Sequence, residues 1–143
     1  MIAVDTDVLI AAHREDSPFH SAALAALGSL GGRRWAIPWP CVHEFLAITT
    51  HPRIFAPPTP LTTALAAIEG WLATPYLELL AEGAGHRNEL STLLAQARVV
   101  GPRVHDARIA ALCLEHGVDE LWTADRDFSR FTALRCLNPL VAP

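Results

Sequence analysis

Met1-Ile-Ala-Val-Asp5-Thr-Asp-Val-Leu-Ile10 decides the fold of this chain. Residues 2–5 form a short apolar run that ends on an acid, the pattern of a buried strand. Helix signals follow over residues 7–13, with Asp7 expected as the cap. A strand that hands over directly to a helix leaves Asp5 at the strand's carboxyl end. In open α/β sheets that edge is where ligands bind.

The same alternation repeats outward from this start. Helices are predicted over residues 17–27, 40–50, 60–73, 86–98 and 104–116. Ser17-Pro18 opens the first of these, Gly28 stops it, and Gly117 closes the last. Strands are predicted over residues 35–38, 76–80, 120–123 and 134–137. The proline-rich stretch from Pro52 to Pro60 reads as a loop. Strands alternating with helices predict an α/β fold with a central, mainly parallel sheet of four to five strands. There is no internal repeat and no linker, so all of residues 1–143 are expected to form one domain.

Composition narrows the function classes. The apolar fraction of 51% is ample for one core, and 18% charged residues is too few for a disordered chain. No apolar run reaches the roughly 18–20 residues needed to span a bilayer. The first residues lack a basic leader, so no signal peptide and a cytoplasmic location are expected. Cys41, Cys113 and Cys136 are odd in number and far apart, and there is no CxxC pair, so they read as buried free thiols. The net charge of −4 argues against an extended polyanion-binding surface. It leaves room for a nuclease, because bound divalent cations offset clustered carboxylates locally.

Four acids fall where the predicted sheet would place a ligand. Asp5 ends the first strand, and Glu44 lies in the first turns of the helix after the second. Asp106 opens the helix before the fourth strand, and Asp125 follows that strand. Each has a bland reading as a cap, a first-turn acid or a turn residue. Taken together they describe a cluster that repels itself unless a cation sits within it. Mg²⁺ and Mn²⁺ prefer such oxygen ligands, acidify a bound water and steady charge on a phosphoryl oxygen. The chemistry that follows is phosphodiester hydrolysis by an activated water.

These segments resemble those of PIN-domain ribonucleases. The opening decapeptide is similar to the family's first acidic segment, and Trp39-Pro-Cys-Val-His-Glu44-Phe-Leu to the second. Val104-His-Asp106-Ala-Arg-Ile-Ala-Ala-Leu is similar to the third. Leu121-Trp-Thr-Ala-Asp125-Arg-Asp-Phe-Ser-Arg-Phe, with Leu134 and Asn138-Pro139-Leu140, matches the fourth and the tail. Ala12-His-Arg-Glu-Asp-Ser-Pro18 and Thr50-His-Pro-Arg-Ile-Phe55 extend the likeness to VapC-type toxins of toxin–antitoxin pairs.

The resemblance implies an α/β/α sandwich and a Mg²⁺- or Mn²⁺-dependent endoribonuclease. It also implies an RNA substrate, a cognate antitoxin and a homodimer. By position, Asp5, Glu44, Asp106 and Asp125 take the acidic catalytic and metal-binding roles. Asp127 is an additional candidate ligand, and Thr123 a candidate to orient a carboxylate or a metal-bound water. Asp7 departs from the Asn or Ser common at that place. Arg108 and Arg126 are candidate phosphate contacts. Trp39 and Trp122 offer stacking faces, although their apolar contexts favour core packing.

Other chemistries fit less well. Asp5-Thr-Asp7-Val also matches the opening of Mg²⁺-dependent haloacid-dehalogenase-like phosphatases, which additionally use a lysine. All eleven fixed cations here are arginines. His43-Glu44 begins like a zinc-hydrolase motif, but the second histidine position is Ala47. The G-x-G-x-x-G and G-x-S-x-G signatures are both absent. A non-catalytic PIN-like binding domain is the remaining alternative. The Ala- and Leu-rich helices over residues 22–27 and 61–72 are candidate partner faces or core.

Overall fold

A computed structural model describes residues 1–143. Its sheet has five parallel strands: β1 (Ile2–Val4), β2 (Trp35–Pro38), β3 (Leu77–Leu80), β4 (Glu120–Trp122) and β5 (Cys136–Leu137). Their spatial order is β3-β2-β1-β4-β5. Six α-helices complete the fold: α1 (Thr6–His13), α2 (His20–Gly28), α3 (Trp39–Thr49), α4 (Leu61–Leu72), α5 (His86–Gln96) and α6 (Val104–Glu115). Helix α1 packs on α2 and α3, and α3 on α4, while α5 and α6 form a second pair. The architecture is an α/β/α sandwich.

The strands lie where the apolar runs predict them, for a reason the burial makes plain. Ala3, Val4, Ala36 and Leu121 are fully buried. Strands covered on both faces need continuous apolar runs in place of alternation. Register follows from the pairing of Ile2 with both Trp35 and Glu120. Tyr76, expected inside the third strand, instead takes a left-handed backbone with φ of 68° and turns the chain into it. Helix α2 starts at His20 and not at Ser17, because the Ser17 hydroxyl accepts the Phe19 N–H in a turn. Gly117, at φ 67°, ends α6 as expected.

Strand order explains where a site can form. From β1 the chain moves outward through β2 to β3, then returns to the other side of β1 as β4. The order therefore reverses at β1, and the carboxyl ends of β1 and β4 flank the resulting crevice. The Asp5 N–H donates to the Trp122 carbonyl at 2.9 Å, so the two strand ends are tied together there. No helix is long and apolar enough to cross a membrane.

Candidate active site

Asp5 leaves β1 as the N-cap of α1, and its Oδ1 accepts the Thr6 N–H at 2.8 Å. The cap expected at Asp7 is thus Asp5. Asp7 sits within the first turn of α1, because the helix begins directly after the strand. Its Oδ2 accepts the backbone N–H of Ala124 at 2.7 Å, across to the far side of the crevice.

Glu44 projects from α3, which Pro38 and Pro40 start abruptly after β2. The roll of that helix is set by Phe45, which is fully buried. Phe45 makes edge contacts with His13 and Trp71 at 5.4 and 5.1 Å. Such pairs are worth about 0.5–1.5 kcal/mol beyond the area they bury. With Phe45 pointing inward, the preceding residue faces the crevice. There the buried Thr6 hydroxyl donates to Glu44 Oε2 at 2.8 Å.

Asp106 lies in the first turn of α6. A turn at Gly101–Arg103 precedes it, in which Gly101 takes φ 66°, a conformation open to glycine at little cost. Asp125 follows β4 and caps a short 3-10 turn over Arg126–Arg130 by accepting the Asp127 N–H at 2.8 Å.

Thr123 knits the two strand ends together. Its buried hydroxyl donates to Asp5 Oδ2 at 2.7 Å and accepts the Asp125 N–H at 3.0 Å. It therefore orients Asp5 and the Asp125 loop from below. Cys41, fully buried, donates its thiol to Asp5 Oδ1 at 3.4 Å.

All four acids singled out in the sequence line one cavity of about 160 Å³, with Asp7 as a fifth carboxylate. Thr6, Ile10, Ile48, Ile109 and Phe128 complete its walls. Asp127 stands outside it and forms an ion pair with Arg103 at 2.6 Å. Arg108 is also outside, its Nε donating to Glu82 at 2.7 Å. Arg126 is exposed beside Asp125, in a separate surface depression. Trp122 is buried as expected, but Trp39 is 38% exposed and lies against the His43 ring at 5.8 Å.

The electrostatics match a cation site. Burial and then the neighbouring Asp7 push the Asp5 carboxyl up to about 7, against the pull of its hydrogen bonds from Thr123, Thr6 and Cys41. Burial, with Asp125 nearby, likewise raises Asp7. Asp106 is raised by burial and then by Asp125, Glu44 and Asp127. These groups repel one another, and a positive charge among them would reverse every shift. The donor set is all oxygen, as hard divalent cations require. No three of the side chains are gathered closely enough to hold a bare ion. A divalent cation held partly through its own waters fits that spacing. The cavity's volume of about 160 Å³ leaves room for such a cation and several waters.

Sequence reasoning missed Thr6 and Arg103, and gave Asp7 the role of a helix cap. Thr6 carries Glu44, Asp7 ties α1 to the Asp125 loop, and Arg103 engages Asp127. Only Thr6 had a local signal, a hydroxyl directly after the strand acid. The other two depend on contacts between distant segments.

Known proteins resemble the chain along its whole length. Ribonuclease VapC25 of Mycobacterium tuberculosis is 33% identical over 141 residues, covering 97% of this chain and 99% of that protein. Ribonuclease VapC48 of the same organism is 29% identical over 137 residues, covering 94% of each. Among solved structures, VapBC2 from Rickettsia felis, bound to a promoter DNA fragment, superposes with a TM-score of 0.71. It is 18% identical and covers 96% of this chain and 98% of that one, a likeness of fold. The PIN domain family matches residues 2–134. With the acids of all four segments meeting in one cavity, and with these relatives, the chain belongs to the PIN domain family, in its VapC group.

Proposed function

We propose that the chain is an endoribonuclease, the toxin of a toxin–antitoxin pair, that hydrolyses RNA phosphodiester bonds with Mg²⁺ or Mn²⁺. The observation that carries this reading is the meeting of Asp5, Glu44, Asp106 and Asp125 in one small cavity. They come from four separate segments of a chain whose relatives are named ribonucleases.

Asp5, Asp106, Asp125 and Glu44 would hold the cation, with Asp127 near enough to add to its field. When bound, the cation supplies an acidified water and charge stabilisation on a phosphoryl oxygen. The protein's own contribution is positioning. Thr123 holds Asp5 and the Asp125 loop in fixed relation, and Thr6 holds Glu44. The apolar walls from Ile10, Ile48, Ile109 and Phe128 limit water around them. The lysine-assisted phosphatase alternative loses its ground, since family membership accounts for the Asp5-Thr-Asp7 opening.

A cognate antitoxin and a second copy of this chain are the protein partners in this reading. Support for a partner surface comes from α4, where Leu61 and Leu65 are 58% and 45% exposed, and from Leu24 on α2.

The deciding experiment is cleavage of mixed cellular RNA by purified protein, with and without Mg²⁺ or Mn²⁺, beside Asp5→Asn. Metal-dependent cutting that is lost in the variant supports the ribonuclease. Cation binding measured by calorimetry without any cutting would instead favour the non-catalytic PIN-like binding domain.

A further inference from the structure

Next to the carboxylate cavity lies a larger one of about 440 Å³. Glu44, Asp106 and Ile109 line both, so the two are immediate neighbours. The remaining walls include Pro40 and His43 from the start of α3, and Pro102, His105 and Arg108 from the start of α6. Behind His43 stands Trp39, the two rings tilted by 33°.

We propose that this second cavity holds one unpaired nucleobase of the RNA strand, beside the phosphate being cut, and sets the base preference of cleavage. The inference rests on the ribonuclease reading above.

Size comes first. The carboxylate cavity accommodates a hydrated cation and little else, whereas the second falls in the roughly 300–1,000 Å³ range of small-ligand sites. A strand delivered to the carboxylates has room for its next bulky group here.

Charge then selects base over phosphate. Arg108 is the one fixed cation on these walls, and Glu82 already engages its Nε and an Nη. Glu44 and Asp106 add two carboxylates with no ion-pair partner. With Glu44 and Asp106 taken up by the cation and Arg108 by Glu82, the walls keep no free fixed cation to draw in a second phosphate, whereas a neutral ring needs none.

Chemistry agrees with this choice. The exposed rings of His43 and Trp39, with two prolines nearby, offer flat surfaces for stacking. Histidine nitrogens and the Arg108 guanidinium provide hydrogen-bonding groups that can discriminate base edges. Recognition of single-stranded RNA uses this combination of faces and edges.

The test titrates adenosine, guanosine, cytidine and uridine separately into the full chain, following the ring-proton resonances of the seven histidines by NMR. Inorganic phosphate is the control. One nucleoside should shift His43 and His105 saturably, at least about fivefold more tightly than the weakest of the four. Phosphate should leave both rings in place, and His43→Ala should weaken the shift of His105, as His105→Ala should weaken that of His43, by about fivefold or more. In cleavage of an RNA with a randomised loop, His105→Ala should reduce base preference at one position flanking the cut by about fivefold or more. The proposal is overturned if no nucleoside moves these rings, which is the outcome expected of a cavity built for a protein segment. Equal shifts with phosphate, or an unaltered base preference in His105→Ala, would also overturn it. Should the wild type cut no RNA while a nucleoside still binds, the ribonuclease reading falls and takes the cleavage preference with it, and nucleoside binding alone stands.

Discussion

Ala124 donates its backbone N–H to Asp7 Oδ2 at 2.7 Å, which locks the first turn of α1 to the loop carrying Asp125. The same oxygen lies 3.4 Å from the Thr123 hydroxyl. The Asp7 carboxylate is therefore not surplus negative charge. It spans the crevice at the point where the strand order reverses.

Asp7→Ala should remove the acceptor and leave the Ala124 N–H without a protein partner, at a cost of about 1–3 kcal/mol. Cleavage should fall as well, because the Asp125 loop loses its anchor. Asp7→Asn keeps an acceptor oxygen and removes one of the charges pushing Asp5 upward. It should retain wild-type stability or exceed it. Urea unfolding of both variants without metal is the check, and equal losses in the two would show that charge, and not the hydrogen bond, is what matters.

Asp5→Asn, Glu44→Gln, Asp106→Asn and Asp125→Asn should each lower the cleavage rate by orders of magnitude. Circular dichroism should show the fold retained, since all four face a cavity and not the apolar core. Normal cutting by any of them would remove that residue from the catalytic set. Thr6→Val tests the support beneath Glu44. It preserves shape and removes the hydroxyl, so the rate should drop by roughly 10–100-fold, with Thr6→Ser restoring most of it.

Stability of the metal-free protein should fall as pH rises from about 4 to about 7. Asp5 is pushed from 3.8 to about 7, so in that window the folded state holds a proton the unfolded state has released. The contribution is present in full below the unfolded value and is lost as pH climbs through the folded one. Its size is on the order of a few kcal/mol. Asp7 and Asp106, both raised, act in the same direction. His13 is lowered by burial and opposes them just below its usual value. Thermal melts across pH should show the decline, and Asp5→Asn should flatten it. Added Mg²⁺ or Mn²⁺ should raise Tm more at pH 8 than at pH 5, because ligands must be deprotonated to bind. A metal effect indifferent to pH would argue against these carboxylates as ligands.

Legibility in the sequence followed the range of the interaction. The buried strands and the acids at their ends were readable, because apolar runs and strand-end placement are local properties. Gly117 as a helix stop was readable for the same reason. The Ser17 start failed because its hydroxyl supports a turn, a choice that local sequence leaves open. Asp7 was misplaced as a cap because the helix begins one residue after Asp5 and not after a loop. Trp39 looked like core in its apolar neighbourhood, yet it stands exposed on the first turn of a helix, against the His43 ring. On their helices His43 and His105 point about 100° from their acidic neighbours, Glu44 and Asp106. That offset is what puts them in the adjacent cavity. The pairs Thr6–Glu44, Arg103–Asp127 and Glu82–Arg108 join segments that only tertiary folding brings together.

The two arginines named as phosphate contacts now separate. Arg108 is neutralised by Glu82, with Nε and one Nη both on the same carboxylate oxygen. Arg126 is exposed between Asp125 and Asp127 and has no ion-pair partner. An arginine already paired releases few counterions when RNA arrives, because its charge is largely compensated beforehand. Arg126→Ala should therefore weaken RNA binding and reduce the slope of log K against log salt by about 0.7, the value of one single-strand phosphate contact. Arg108→Ala should leave that slope nearly unchanged, and Glu82→Gln, which frees the guanidinium, should steepen it. Binding to Asp5→Asn protein, which should not cut, provides the measurement over a series of salt concentrations. A larger loss of slope in Arg108→Ala than in Arg126→Ala would mean that RNA displaces Glu82, and would return the phosphate contact to Arg108.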